Sequence, residues 1–288
     1  MKNDLLLLIT AAIWGFAFVA QRAGMRLIGP LTYNGVRFTL GLVSLLPVLF
    51  LSLRGRTKNE PAQAPPNRRA LLVWGIIAGL LLCAACAFQQ MGVVFTTAGK
   101  AGFITCLYVV LVPVFGIFLG TKSSAAGWAG ALLAISGLYL LSIQESFSIN
   151  KGDLLVLLSS LFFAGHTLLV AKTSARFDPI VFSFIQYAVC AAASSMAALF
   201  GELWNTEAVL SAWLPIVYGG VFSVGIAYSL QIAALRKAHP THASIILSLA
   251  GLFAAAGGFL ILGERFSVRE ISGGLLMLGG AIISRVKK

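Results

Sequence analysis

Nine side chains of this protein can carry a negative charge, and all of them sit at the margins of apolar runs. Asp4, Glu60, Glu145, Asp153, Asp178, Glu202, Glu207, Glu264 and Glu270 leave the interiors of those runs without a carboxylate. A proton- or ion-coupled membrane carrier ordinarily keeps one there, because some group must change charge or ligate the ion. There is no Ser-His-Asp arrangement, no carboxylate pair suited to general acid–base work and no cluster at metal-ligand spacing. His239 and His242 lie beside Arg236 and Lys237, a poor environment for a metal cation. Cys83, Cys86, Cys106 and Cys190 fall within apolar runs, where thiols act as small packing groups. No phosphate-cradling glycine loop or soluble nucleotide domain is present, so ATP-driven work by this chain alone is excluded. Neither an enzyme nor a cofactor site is expected.

The remaining candidates are one cation, several amides, one imidazole and a set of aromatic rings. Arg37 lies about six residues inside the second apolar run. It can grip a carboxylate through its bidentate fork or snorkel to the interface. His166 lies about 13 residues into the sixth run, near mid-depth at a rise of 1.5 Å per residue. It can hydrogen-bond a substrate, take part in proton movement near neutral pH, or bond a neighbouring helix. Gln89, Gln186 and Gln231 need partners inside a membrane, either a zwitterionic solute or another helix. Trp14, Phe18, Tyr108, Tyr187 and Tyr228 offer either an apolar wall with hydroxyl tips or ordinary packing. Tyr33 and Trp204, near run ends, read as interfacial anchors. The candidate substrate-binding set is therefore Trp14, Arg37, Gln89, Tyr108, His166, Gln186, Tyr228 and Gln231.

The elements that must position these groups follow from composition. Of 288 residues, 59% are hydrophobic and 10% charged, with a mean hydropathy of +0.93. A soluble domain carries roughly 25% charged residues, so the lipid bilayer is the solvent for most of this chain. Runs of about 20 apolar residues mark membrane helices. Ten occur, near 4–22, 31–53, 70–94, 98–119, 124–143, 153–173, 179–201, 211–235, 241–262 and 268–284. The stretch 54–69 is polar and proline-rich and reads as an exposed loop. The net charge of +12 is no nucleic-acid signal. With the N-terminus inside, 14 basic residues fall on the inner side and six on the outer, leaving Arg37 as the last of the 21. That asymmetry predicts cytoplasmic N- and C-termini. Residues 1–20 lack a clean small-x-small cleavage site, since Phe18 interrupts it, and read as a retained first span.

The chain also repeats itself. At an offset of 149, Asp4-Leu5-Leu6 falls on Asp153-Leu154-Leu155, Trp14 on Phe163, Pro30 on Pro179 and Arg37 on Gln186. Farther on, an offset of 142 brings Gln89 onto Gln231, Lys100 onto His242 and Ala101 onto Ala243, and an offset of 143 brings Gly130 onto Gly273. The longer 54–69 loop absorbs the change. Residues 1–143 and 144–288 thus form two repeats of five spans each. An odd number of spans inverts the second repeat, giving an all-α integral membrane fold with two inverted five-helix halves. Secondary transporters commonly have this architecture, with the substrate near the midplane. Asn3/Asp4 and Asn150/Asp153 can cap the first helix of each half, and Pro30 and Pro179 suit the first turn of the second. Pro113 is either a hinge or a static kink. The glycines of the last two spans (Gly251, Gly257, Gly258, Gly273, Gly274, Gly279, Gly280), with Gly24, Gly75 and Gly79, serve either close packing within the chain or a dimer face.

Several short motifs resemble the EamA family of the drug/metabolite transporter superfamily, including its amino-acid exporters of the YddG type. They are Ala11-Ala12-Ile13-Trp14-Gly15-Phe16, Pro30 through Arg37-Phe38, Thr96-Thr97-Ala98-Gly99-Lys100-Ala101, Leu262-Gly263-Glu264-Arg265 and Gly273-Gly274-Leu275. The resemblance covers essentially the whole chain. It implies ten helices around a central cavity, a place in the bacterial inner membrane, and export of small metabolites, often amino acids. It also implies that spans 1–4 and 6–9 line the cavity while spans 5 and 10 act as scaffold. Two departures matter. Ala250-Gly251 stands where many members have Glu-Pro, and the first span lacks the membrane glutamate of the small multidrug proteins.

Together these readings predict a carrier of a polar or zwitterionic small molecule, best an amino acid, working by alternating access as a monomer or homodimer. Drugs and nucleotide-sugars are the alternative solutes. A channel or an intramembrane enzyme is disfavoured, the first by the inverted repeat and the second by the absence of clustered acids or nucleophiles.

Overall fold

The structure, a computed structural model, describes residues 2–55, 67–96, 98–121, 123–142, 150–254, 256 and 268–284. Among the described residues the chain is helical, with no strand. Seven helices are long and apolar enough to cross a membrane: α1 (Asn3–Gly24), α2 (Pro30–Leu51), α3 (Arg68–Val93), α4 (Ala101–Phe118), α6 (Lys151–Arg176), α7 (Pro179–Gly201) and α8 (Trp213–Leu235). Among the described residues there are also three shorter apolar helices, α5 (Ala125–Leu140), α9 (Pro240–Ala254) and α10 (Ile271–Ile283), and a six-residue helix, Thr206–Ser211, before α8. Most of the 54–69 loop, the Leu262–Arg265 motif, Glu145, Gly257, Gly258 and the basic C-terminal residues lie outside the described residues.

Local chemistry accounts for the helix starts. Asn150 and Asp153 form a reciprocal capping box at α6, with bonds of 3.0 and 2.9 Å. Pro179 opens α7 behind Asp178, whose carboxylate accepts from the Ile180 and Val181 N–H groups. Pro30 opens α2, and its free N–H groups at Leu31 and Thr32 donate to Glu202, 2.8 Å each. Asp4 reaches instead to His242 Nε2, 3.2 Å away, whose Nδ1 meets Ser284 Oγ at 2.8 Å. The starts of α1 and α9 and the end of α10 are thereby tied together.

The outer faces of the helices remain apolar. Phe118 is 83% exposed and Phe200 86%. Such a surface is a liability in water and natural in lipid. The protein is a multi-pass membrane protein. Helices α4 and α8 are the most buried of the long ones, at 61% and 56% of their apolar windows, against 33% for α1, α2 and α3.

The helix pairings are reciprocal between the halves. α3 packs on α6 as α8 packs on α1; α3 on α7 as α8 on α2; α4 on α6 as α9 on α1. α2, α4 and α5 each pack on their own counterparts α7, α9 and α10. Glycine permits the closest of these approaches. A Cβ added at Gly130 would lie 2.7 Å from the Gly280 carbonyl oxygen, and one at Gly137 would run into the Gly273 carbonyl. At the offset of 143, Gly130 corresponds to Gly273 and Gly137 to Gly280, so the two contacts are mirror versions of each other. Gly130, Gly137 and Gly280 therefore pack within the chain.

The interior helices are broken at corresponding points. α4 is interrupted at Leu107 and α9 at Leu249, 142 positions apart. Leu107 N–H turns to Ile104 O (3.2 Å) and Leu249 N–H to Ile246 O (3.1 Å), tightening each helix locally. Pro113 lies one and a half turns beyond the first break, and its counterpart in the second half is Ala255. A proline is thus not what the two breaks share. One element differs between the halves: Tyr218–Tyr228 of α8 is wound as a π-helix, whereas α3 is α-helical along its length.

Candidate functional site

A cavity of ≈ 50 Å³ lies where six helices meet. α1, α3 and α4 supply one half of its wall and their counterparts α6, α8 and α9 the other. The correspondence extends to single residues. Trp14 and Phe163 both line it, as do Phe18 and Thr167, at the offset of 149. Gln89 and Gln231, Thr105 and Leu247, and Tyr108 and Ala250 do so at the offset of 142. Gln21, Cys106, Ser223 and Tyr228 complete the lining. Corresponding residues also touch. Cys86 Sγ lies 3.4 Å from Tyr228 Oη, and Cys106 Sγ donates to Ser248 O at 3.8 Å, each pair 142 positions apart.

The wall is aromatic on one side and polar on others, with no charged side chain. Trp14 Nε1 donates to Ser223 O at 3.3 Å, and its ring lies 4.7 Å from that of Tyr228. Gln89 Nε2 donates to Thr105 Oγ1 at 3.0 Å. Gln21 Oε1, Tyr108 Oη and Gln231 Oε1 are buried without a hydrogen-bond partner. An unmet buried polar atom costs roughly 1–3 kcal/mol. All three belong to residues that line this one cavity. Pockets for drug-sized ligands measure roughly 300–1,000 Å³, so a solute of that kind enters only when the helices or the aromatic side chains move.

The eight residues expected from the sequence divide into two groups. Trp14, Gln89, Tyr108, Tyr228 and Gln231 line the cavity. Arg37, His166 and Gln186 do not; they are buried behind its wall. His166 Nε2 pairs with Gln186 Oε1 at 2.7 Å, and the imidazole stands edge-on to Tyr228 with ring centres 6.5 Å apart. α2 and α7, expected among the lining helices, contribute no side chain, because they pack on one another and on α8 and α3 outside the wall. α5 and α10 are likewise absent from the lining. Gln21, Thr105, Thr167 and Ser223 were not anticipated. Applying the repeat offset to Phe18 would have found Thr167. Gln21 was obscured by its place near the end of a span, where polar residues ordinarily face headgroups.

Comparison with known proteins identifies the fold's family. The profile of the EamA-like transporter family matches residues 1–143 and again residues 150–286. The chain belongs to the EamA-like transporter family. Relatives of this EamA protein include an uncharacterized transporter of Archaeoglobus fulgidus, 28% identical over 97% of this chain and 84% of its own. Another is the uncharacterized transporter YoaV of Bacillus subtilis, 23% identical over 94% of this chain and 92% of its own. A WAT1-related chloroplastic protein of Arabidopsis thaliana is 26% identical over 92% of this chain and 65% of its own. A solved crystal structure superposes with a TM-score of 0.78 over 99% of this chain and 96% of that one, at 19% identity, a likeness of fold. The EamA protein is a membrane transporter and not an enzyme.

Proposed function

We propose that this EamA protein is a secondary carrier of the bacterial inner membrane that moves a small polar or zwitterionic metabolite, best an amino acid, outward by alternating access without ATP. Its two five-helix halves, 1–143 and 144–288, are inverted repeats, and both termini are cytoplasmic. The observation that supports this reading most strongly is the cavity wall built from repeat-related residues. A site on the axis relating two inverted halves is equidistant from both membrane faces, so rocking one half on the other opens it to either side at comparable energy. The paired breaks at Leu107 and Leu249 fit the discontinuous helices of such carriers. The neutral lining suits a solute without net charge, since a lone charge in an apolar cavity is costly. It also counts against lipophilic cations as substrates.

Purified protein in liposomes tests the reading. Amino-acid uptake should saturate, proceed without ATP, and accelerate when the same amino acid is present on the far side. Flux of nucleotide-sugars or drugs with no amino-acid movement would replace the solute class. Unsaturable flux without acceleration would replace the carrier by a channel.

A further inference from the structure

Among the described residues, Arg37 is a buried cation without an anion in contact. Its residue is 1% exposed, and arginine cannot shed its proton. Nε donates to Asn34 Oδ1 at 2.9 Å, and the guanidinium lies over the rings of Tyr33 (5.4 Å) and Phe38 (5.2 Å). Nη2 has no hydrogen-bond partner. Placing such a charge within a membrane protein is expensive, and the usual compensation is a paired acid. Among the described residues none is in contact with it.

The second half shows what packing alone requires at this position. Gln186, the counterpart of Arg37, occupies the corresponding place on α7, and a Cβ at Gly79 of α3 would lie 3.1 Å from its Cα. The backbone oxygen of Arg37 lies 2.9 Å from a Cβ added at Gly220 of α8, one position before Val221, the counterpart of Gly79 at the offset of 142. Gln186 is neutral and has partners at both amide atoms, its Oε1 accepting from the Nε2–H of His166 and its Nε2 donating to Phe182 O at 3.2 Å. A neutral amide therefore serves the packing, and the charge at position 37 is left for another purpose.

Two stacked rings, Phe38 and Tyr228, separate that charge from the cavity. The Phe38 ring beneath the guanidinium is 6.4 Å from the ring of Tyr228, a cavity-lining residue. Asn34, which holds Arg37 Nε, donates from Nδ2 to Cys86 O at 3.0 Å, and the Cys86 thiol meets Tyr228 Oη. Tyr228 closes the π-helical segment of α8, beside glycines 219, 220 and 225. We infer that Arg37 is the carboxylate-recognition point of this carrier, reached when the Tyr228 and Phe38 rings swing aside from between it and the cavity. The substrate class is then a small carboxylate-bearing solute. Its carboxylate takes the guanidinium fork, and its other polar groups meet Gln21, Tyr108 and Gln231. The inference deepens the carrier reading above and rests on its placing the solute in this cavity.

Binding to the full-length protein in lipid nanodiscs tests it, read by ligand-dependent melting. The probes are L-phenylalanine against L-phenylalaninamide, and 3-phenylpropionate against 3-phenylpropanamide. In the wild type each acid should bind at least about tenfold more tightly than its amide, one charge-assisted contact. Arg37→Gln should bring acid and amide within about twofold. Arg37→Lys, which keeps the charge and loses the fork, should fall between them, and it retains a readout if the glutamine variant does not fold. A wild type indifferent to the carboxylate, or an Arg37→Gln protein that still prefers it, overturns the inference. Because binding is read without transport, absence of amino-acid flux in liposomes would count against the carrier reading separately.

Discussion

Gly137→Ala addresses the close approach of α5 and α10. The added Cβ would fall 2.8 Å from both Cγ and N of Met277 and run into the Gly273 carbonyl. Carbon atoms sit comfortably at about 3.5–4.0 Å, so the helices must separate by about 0.7 Å, and a gap of about 0.5–1 Å forfeits a quarter to a half of each contact along the seam. Overpacking of this kind costs about 1–3 kcal/mol. Alanine also gains up to about 1 kcal/mol of helix propensity over glycine. The control removes that gain: Gly279→Ala lies on α10 with nothing within 4 Å of its new Cβ. The difference between the two variants isolates the steric cost. At about 2–4 °C per kcal/mol for a chain of this order of size, Gly137→Ala should melt about 2–12 °C below Gly279→Ala in nanodiscs. Since α5 and α10 line no part of the cavity, KM for a transported solute should stay within about twofold at a temperature where both variants are folded. Equal melting temperatures would refute the claimed approach. A changed KM at unchanged stability would refute the division between scaffold and cavity.

Further outcomes follow from the hydrogen bonds. Gln231→Leu should raise KM about threefold to tenfold with little change in melting, because its Oε1 has no partner in the protein. Gln89→Leu should lower the melting temperature as well, because Thr105 Oγ1 loses its donor. Asp153→Ala removes the capping box of α6 and the 2.6 Å bond that Asp153 accepts from Thr96 Oγ1, in the turn after α3; a cap alone is worth about 0.5–2 kcal/mol, and a fall of several degrees is expected by differential scanning fluorimetry. Asp4→Asn should shift melting by no more than about 2–4 °C, since a partly exposed pair with His242 is worth at most about 1 kcal/mol. A fall as large as that of Asp153→Ala would show that the α1–α9 tie carries far more of the fold than its exposure suggests.

The sequence by itself determined the solvent and the helices. Ten apolar runs stand where seven long and three shorter apolar helices are found, because helix formation within a span depends on near neighbours and on the lack of water for the backbone. Asn150, Asp153 and Pro179 announced their helix starts for the same local reason. The offsets that pair Trp14 with Phe163 and Gln89 with Gln231 also name residues that line the cavity together. Only the tertiary structure decided which face of each helix looks inward. In a helix surrounded by lipid and by other helices, an apolar residue is tolerated on every side, so no polar stripe marks the wall. Arg37 and His166 show the consequence. Their chemistry singled them out as candidate site residues, and both are buried, Arg37 within the protein and not at the interface, but α2 and α6 turn them toward their own neighbours, behind Tyr228. Gln21 shows the converse, a residue at a span end that packing brings into the centre. The π-winding of α8 had no signal beyond its glycines, because it is set by how that helix lies against α2 and α1 and not by the residues of the segment alone.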